Sequence, residues 1–214
     1  GRPLRQAPCY DRLKELGAVF GQKFGWERAN WFAPSKELQK DDWSFRRSKW
    51  FEHVGNECKN VSENAGLLDM SAFAKCRISG PGAEEFLDYL VANKIPKKIG
   101  RVNLCHALNT AGGVHSEFTI AKEKDNSFYL VSAGAFQRLD HDWIIKWMPK
   151  DGSVTYENLT NSMGVLVLAG PKSRDILSKI TRTDLSNEKF PWLSSKKINV
   201  GLAPSIAMRM NFVG

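Results

Sequence analysis

The chain has 214 residues, 42% hydrophobic and 25% charged, which suits one full domain or two small ones and excludes a disordered or collagen-like chain. It has no apolar run of about 18 residues to span a membrane, and its four cysteines (Cys9, Cys58, Cys76, Cys105) are scattered and read as reduced thiols rather than a zinc site or a disulfide framework. The net charge of +8 points to an anionic partner: nucleic acid, acidic lipid, a polycarboxylate or a phosphate.

The first 50 residues carry Trp26, Trp31, Trp43 and Trp50. Leu13, Leu16, Val19 and Phe20 at helical spacing predict a short helix over Asp11–Phe20. After Gly25 the chain reads as irregular, and Ser35–Asp42 is a polar loop. So aromatic a segment is expected to lie across another surface. The basic start has no apolar core behind it, so it does not read as a signal peptide. The opening without Met and the stop at Phe212-Val213-Gly214 suggest an excerpt of a longer protein.

From Trp43 the pattern is regular. Phe45–Asn64 reads as a helix with Trp50, Val54, Cys58 and Val61 on one face. Leu67–Met70 and Ala74–Ser79 read as strands, and Gly80-Pro81-Gly82 leads into a helix over Ala83–Val91 with Glu84 and Glu85 in its first turn. Val102–Leu108, the turn Asn109–Gly113 and Val114–Ala121 form a hairpin. Phe128–Ser132 is a strand and Ala135–Met148 a helix. Met163–Ala169 is a buried-type strand, followed by Gly170-Pro171 and a helix over Lys172–Ile180. The strand, Gly-Pro turn and helix at 78–87 and at 168–177 look like two copies of one unit, with Pro in the first helical turn, where its missing N–H costs nothing. The fold class this implies is α+β, with mostly antiparallel sheets and flanking helices.

His53, His106, His115 and His141 show no metal-ligand spacing, and the chain has no GxGxxG, GxxxxGK[ST] or GxSxG motif. The strand after Gly112-Gly113 alternates, with His115, Glu117 and Thr119 on one face and Val114, Ser116, Phe118 and Ile120 on the other. Either the polar face meets solvent, or Glu117 and Thr119 line an interior cavity. There a carboxylate can take a proton from an amine ligand, with burial raising its pKa above the usual value of about 4.3. Asp69 and Ser71 share a strand face in Leu67–Lys75; Asp-x-Ser there is either a binding pair or an Asx-type turn. Basic and aromatic residues alternate over Phe45–Trp50, which suits either base stacking or a helix packed on a core.

Four strings occur in one order: Leu68-Asp69-Met70-Ser71-x-Phe73-x-Lys75, Ile78-Ser79-Gly80-Pro81-Gly82-Ala83, Asn109-x-x-Gly112-Gly113-x-x-x-Glu117-Phe118-Thr119-Ile120, and Leu168-x-Gly170-Pro171-x-Ser173. Together they resemble the folate-binding domain of the glycine-cleavage T-protein (aminomethyltransferase) family. The opening, Gly1-Arg2-Pro3-Leu4-Arg5 through Gly25-Trp26-Glu27-Arg28 to Trp31-Phe32, resembles the junction after the flavin domain of sarcosine and dimethylglycine dehydrogenases. The resemblance covers essentially the whole chain.

It implies that residues 1–42 are a junction following an absent FAD-binding domain, and that residues 43–214 are a partial aminomethyltransferase domain with a T-protein-like fold. The implied activity is capture on tetrahydrofolate of the carbon of an oxidised N-methyl amine, giving methylene-tetrahydrofolate. By the same resemblance Glu117 is the catalytic carboxylate, where many relatives have Asp, and Thr119, Asp69, Ser71 and Leu104 are folate contacts. Leu104 stands where many relatives have Tyr, so a hydroxyl is lost. Later acidic and aromatic contacts are expected beyond Gly214. The positive charge fits a rim for the folate glutamate tail, with Lys75 and Arg101 beside the motifs. The partners implied are folate and the flavin domain of the same polypeptide, with no nucleic acid, no membrane and no metal; no Lys-Gly-Cys-Tyr motif of the tRNA-modifying relatives is present. The compartment implied is the cytoplasm for a bacterial protein or the mitochondrial matrix for a eukaryotic one. The other reading is a non-catalytic regulatory relative resembling the regulatory subunit of pyruvate dehydrogenase phosphatase.

Overall fold

The computed structural model describes residues 1–41 and 43–211. Asp42 and Gly214, which close the two expected segments, lie outside the described residues. The chain divides into two compact units: Gly1–Ala72 with Gly164–Ser173, and Phe73–Met163 with the chain from Arg174 onward.

In the first unit α1 (Tyr10–Glu15) is shorter than expected, and β1 (Ala18–Lys23) follows it. Val19 and Phe20 therefore belong to a strand. The stretch after Gly25 is not irregular but is β2 (Trp26–Phe32), antiparallel to β1. Phe24 and Gly25, at φ 50° and 83°, make the two-residue turn between them. Positive φ at both central positions matches the twist of the flanking strands. Val19, Trp31 and Ala33 form a small core, with Leu38 and Val54 against it. Trp26 and Trp31 are thus buried within their own unit, whereas Trp43 is 92% exposed. Glu27 is buried, and the Arg2 guanidinium bonded to it holds its carboxyl below the usual range.

The helix expected from Phe45 begins only at Phe51 (α2, Phe51–Glu63). A longer helix would put Arg46, Arg47 and Lys49 in its first turn, at the positive end of the helix dipole. Strand β3 (Gly66–Asp69) pairs with β9 (Leu166–Ala169) in a two-stranded ribbon. The strand expected to be buried over Met163–Ala169 is shorter, and Leu166 is 56% exposed, because a two-stranded ribbon has no neighbouring strands to enclose it.

The second unit is built on a five-stranded antiparallel sheet. Its strands are β4 (Ala74–Ser79), β5 (Val102–Leu108), β6 (Val114–Lys124), β7 (Ser127–Ser132) and β8 (Thr155–Asn158), in the order β5-β6-β7-β4-β8. Helices α3 (Ala83–Leu90) and α4 (Gln137–Trp147) add their apolar sides to its core. Phe86, Leu87 and Ile144 meet Ile78, Phe118, Ile120, Phe128 and Leu130 of the strands there. The period-2 alternation of each strand sends these residues to one face. Lys122 is also buried, and its Nζ donates to Glu84 Oε2 at 2.8 Å, tying β6 to α3. A further helix, α5 (Ser173–Ser178), precedes the hairpin of β10 (Ser194–Val200) and β11 (Ala203–Arg209).

The repeated corner is real in three dimensions. Gly80 and Gly170 sit at φ 115° and 110°, and the amides of Ala83 and Ser173 donate to their carbonyls at 3.0 Å in both copies. The architecture is α+β with antiparallel sheets.

Candidate functional site

The candidate site is assembled on the β5–β6 hairpin of the second unit. Its turn is held by Asn109, whose Oδ1 accepts from the amides of Ala111 and Gly113 at 3.0 Å each. A short amide side chain folding back on its own backbone is what makes Asn a turn former. Beyond the turn, Leu104 pairs with Thr119, His106 with Glu117 and Ala107 with Ser116, but Leu108 pairs with Val114. His115 is therefore an extra residue, a β-bulge. The bulge removes His115 from the expected row: its ring stacks on Trp143 of α4 at 4.0 Å, and its Nε2 is buried without a hydrogen bond.

The other alternating positions fall as expected. Ser116, Phe118 and Ile120 are buried, Thr119 is half-buried and Leu104 is 43% exposed. The Glu117 side chain is 60% accessible, so of the two alternatives the sequence left open its carboxylate takes the solvent-facing one. Its Oε2 lies 3.0 Å from His106 Nε2. Sequence reading passed over His106: counting outward from the turn sets Cys105 opposite Glu117, and only the bulge at His115 shifts the register to His106.

The row through Leu104 and Thr119 continues across the sheet to Val131 and Lys75. Lys75 is 1% exposed and its Nζ donates to the Phe73 carbonyl at 2.7 Å, so it is not the surface rim residue expected. Arg101 is exposed, and its Nε reaches Asn103 Oδ1 at 3.2 Å.

Asp69 and Ser71 belong to the first unit, and the hairpin residues to the second. Asp69 Oδ1 accepts the Ser71 amide at 2.9 Å, and the Ser71 hydroxyl accepts the Val165 amide at 3.1 Å. This is the Asx-type turn left open by the sequence. Asp69 Oδ2 is buried without a hydrogen bond of regular geometry. The Cys9 thiol is raised by burial first and by the Asp69 carboxylate second.

Sequence reading also missed a buried polar cluster beneath α4. Asp140 is 4% exposed and accepts from the hydroxyls of Ser116 and Ser132, each at 2.5 Å. The adjoining cavity is about 10 Å³, lined by Cys76, Ser132, Asp140 and Tyr156 among others. That is room for about one water, and far below the several hundred Å³ of a typical ligand site. Burial, with a smaller contribution from Asp140, pushes the Cys76 thiol up to about 12, which leaves it protonated and inert. Among the described residues no group of three or more His, Cys, Asp or Glu is placed to hold a metal ion, and no helix is long and apolar enough to cross a membrane.

The family model described as the GCVT N-terminal domain matches residues 9–214. The whole chain is 37% identical to the mitochondrial dimethylglycine dehydrogenase of Mus musculus, of which it covers 25%. It is 34% identical to the mitochondrial pyruvate dehydrogenase phosphatase regulatory subunit of Mus musculus, again covering 25% of that protein. The chain thus spans about a quarter of the length of these relatives. Among solved structures, the glycine cleavage system aminomethyltransferase T from Bartonella henselae superposes with a TM-score of 0.72 at 22% identity, over 90% of this chain and 47% of that one. That likeness concerns the fold.

Proposed function

From the membership of this chain in the GCVT N-terminal domain family, we propose that it contributes to a tetrahydrofolate site that captures the carbon of an oxidised N-methyl amine as methylene-tetrahydrofolate. The observation that carries the reading is Glu117: a carboxylate on the strand after the Gly-Gly turn, accessible from outside and flanked on the same face by Leu104 and Thr119. This donor set fits a reduced pterin. Bound tetrahydrofolate supplies the nucleophilic nitrogens that take up the one-carbon unit. Glu117 accepts the proton released there, acting as a general base. The Thr119 hydroxyl can donate to or accept from the heterocycle, and Leu104 offers it an apolar contact.

The oxidation belongs to FAD held elsewhere in the polypeptide. No GxGxxG motif in this chain would cradle a dinucleotide, so no step here is assigned to it. On this reading residues 1–42 are the junction behind the flavin domain and residues 43–214 the first part of the folate domain. The working compartment is the mitochondrial matrix in a eukaryote or the cytoplasm in a bacterium.

Calorimetric titration of tetrahydrofolate into the complete natural polypeptide that contains this chain tests the proposal. Binding is expected in the wild type. With the amine substrate, the Glu117→Gln variant is expected to release formaldehyde instead of forming methylene-tetrahydrofolate. A polyglutamated folate should bind more tightly than the monoglutamate at low salt, and the difference should shrink between 50 and 300 mM salt as screening lengths fall below about 10 Å. A wild type that binds no folate sinks the proposal. It would favour instead a non-catalytic role like that of the named phosphatase regulatory subunit, to which the chain is 34% identical.

A further inference from the structure

We infer that His106 is a positioning residue for Glu117: its imidazole holds one carboxylate oxygen so that the other is presented to the incoming pterin. The inference rests on the folate reading above. The two residues are direct partners across β5 and β6, with Nε2 3.0 Å from Oε2. Side chains in such a pair start about 5 Å apart at Cβ and meet without distorting the sheet.

Glutamate has one more rotatable bond than aspartate. On a surface that is 60% accessible, an untethered Glu117 would sample several rotamers, and each productive encounter would require ordering it. A bond from His106 to Oε2 selects one of them and leaves Oε1 for the ligand. The selection matters because displacements of about 1 Å near reacting atoms can cost about 100-fold in rate. To donate, the imidazole must carry its proton on Nε2; when cationic it makes the stronger, charge-assisted bond.

The histidine is itself held. Strand β5 is the edge of the sheet, and the His106 carbonyl accepts the Ala92 amide at 2.8 Å. The neighbouring Asn93 side chain donates to the Leu104 carbonyl at 2.6 Å. Around the pair on the hairpin face, Leu104 and Thr119 carry no charge; the connection before β5 brings Lys94, Lys97 and Lys98, and the Lys94 carbonyl accepts from Asn103 Nδ2 of β5 at 2.8 Å. For stability alone, an exposed pair of this kind contributes little, so function and folding can be separated.

The test is calorimetric titration of tetrahydrofolate into the complete natural polypeptide for the wild type, His106→Leu, His106→Gln, Glu117→Gln and the His106→Leu/Glu117→Gln double variant. His106→Leu should weaken binding about tenfold, within the range of coupled hydrogen-bonded pairs, and leave the thermal midpoint unchanged. His106→Gln, which keeps an N–H donor, should return affinity to within about twofold of wild type. In the Glu117→Gln background, His106→Leu should cost nothing further. Unchanged affinity in His106→Leu, or two losses that simply add, overturns the role of His106 and leaves the folate site standing. A wild type that binds no tetrahydrofolate overturns both.

Discussion

Asp140 enters the fold against its own hydration. Ser116 and Ser132 satisfy its oxygens, yet burial outweighs these bonds and raises its pKa above the ordinary 3.8. In the unfolded chain the group titrates at its ordinary value. The fold therefore favours the protonated form. Its contribution to stability is fully present below about 3.8 and is lost as pH rises through the raised folded value. Asp140→Asn abolishes the titration. The melting temperature of the wild type, measured against that of the Asn variant, should rise as pH falls from neutrality, and the gap should level off below the ordinary carboxylate range. A gap independent of pH would show that burial is not felt by the carboxyl. Glu117 and Thr119 were legible in the sequence because a strand alternates with a fixed period. His115 was misplaced because a single bulge breaks that period. Asp140 was invisible, since its partners lie 24 and 8 residues away and only the packed sheet brings them together.

At the scale of elements, the Gly-Pro corners are the stiffest requirement on the sequence. A Cβ on Gly80 would lie 2.3 Å from the Ser153 carbonyl oxygen, and one on Gly170 would lie 2.5 Å from that of Val61. Both contacts are to backbone, and both glycines have φ above 100°, so neither can be relieved by a rotamer change. Gly80→Ala and Gly170→Ala should each destabilise by about 2–3 kcal/mol or more in urea unfolding; a loss below 0.5 kcal/mol at either would mean the corner relaxes freely. These corners were readable because Gly and Pro punctuate a chain strongly. Strands β4 to β7 and helix α3 were readable because each has one apolar side. The β1–β2 hairpin was not, since Glu27, Arg28 and Asn30 interrupt its alternation. The β10–β11 hairpin escaped as well: Ser194-Ser195-Lys196-Lys197 is polar throughout and Pro204 stands in the returning strand.

For the whole molecule, the path of the chain matters more than any single contact. It leaves the first unit after Ala72, builds the entire five-stranded sheet, and returns at Gly164 to supply the partner of β3. About a hundred residues separate the two strands of that ribbon. On a ribosome adding roughly 5–20 residues per second, β3 waits about 5–20 s for its partner, while β5, β6 and β7 find theirs in neighbouring hairpins. Leu67 and Leu68, 66% and 49% exposed even in the finished protein, spend that interval on an unpaired strand, the kind of segment that molecular chaperones shield. Ribosome-stalled chains should show it under pulse proteolysis. Arrest with residues through 160 outside the exit tunnel should leave the hairpins protected and the region of Leu67 open, and arrest after β9 has emerged should close it. Equal protection at both lengths would mean that the first unit is ordered without its last strand. The order of synthesis thus makes β9 the latch of the first unit, although with four residues it is among the shortest of the described strands.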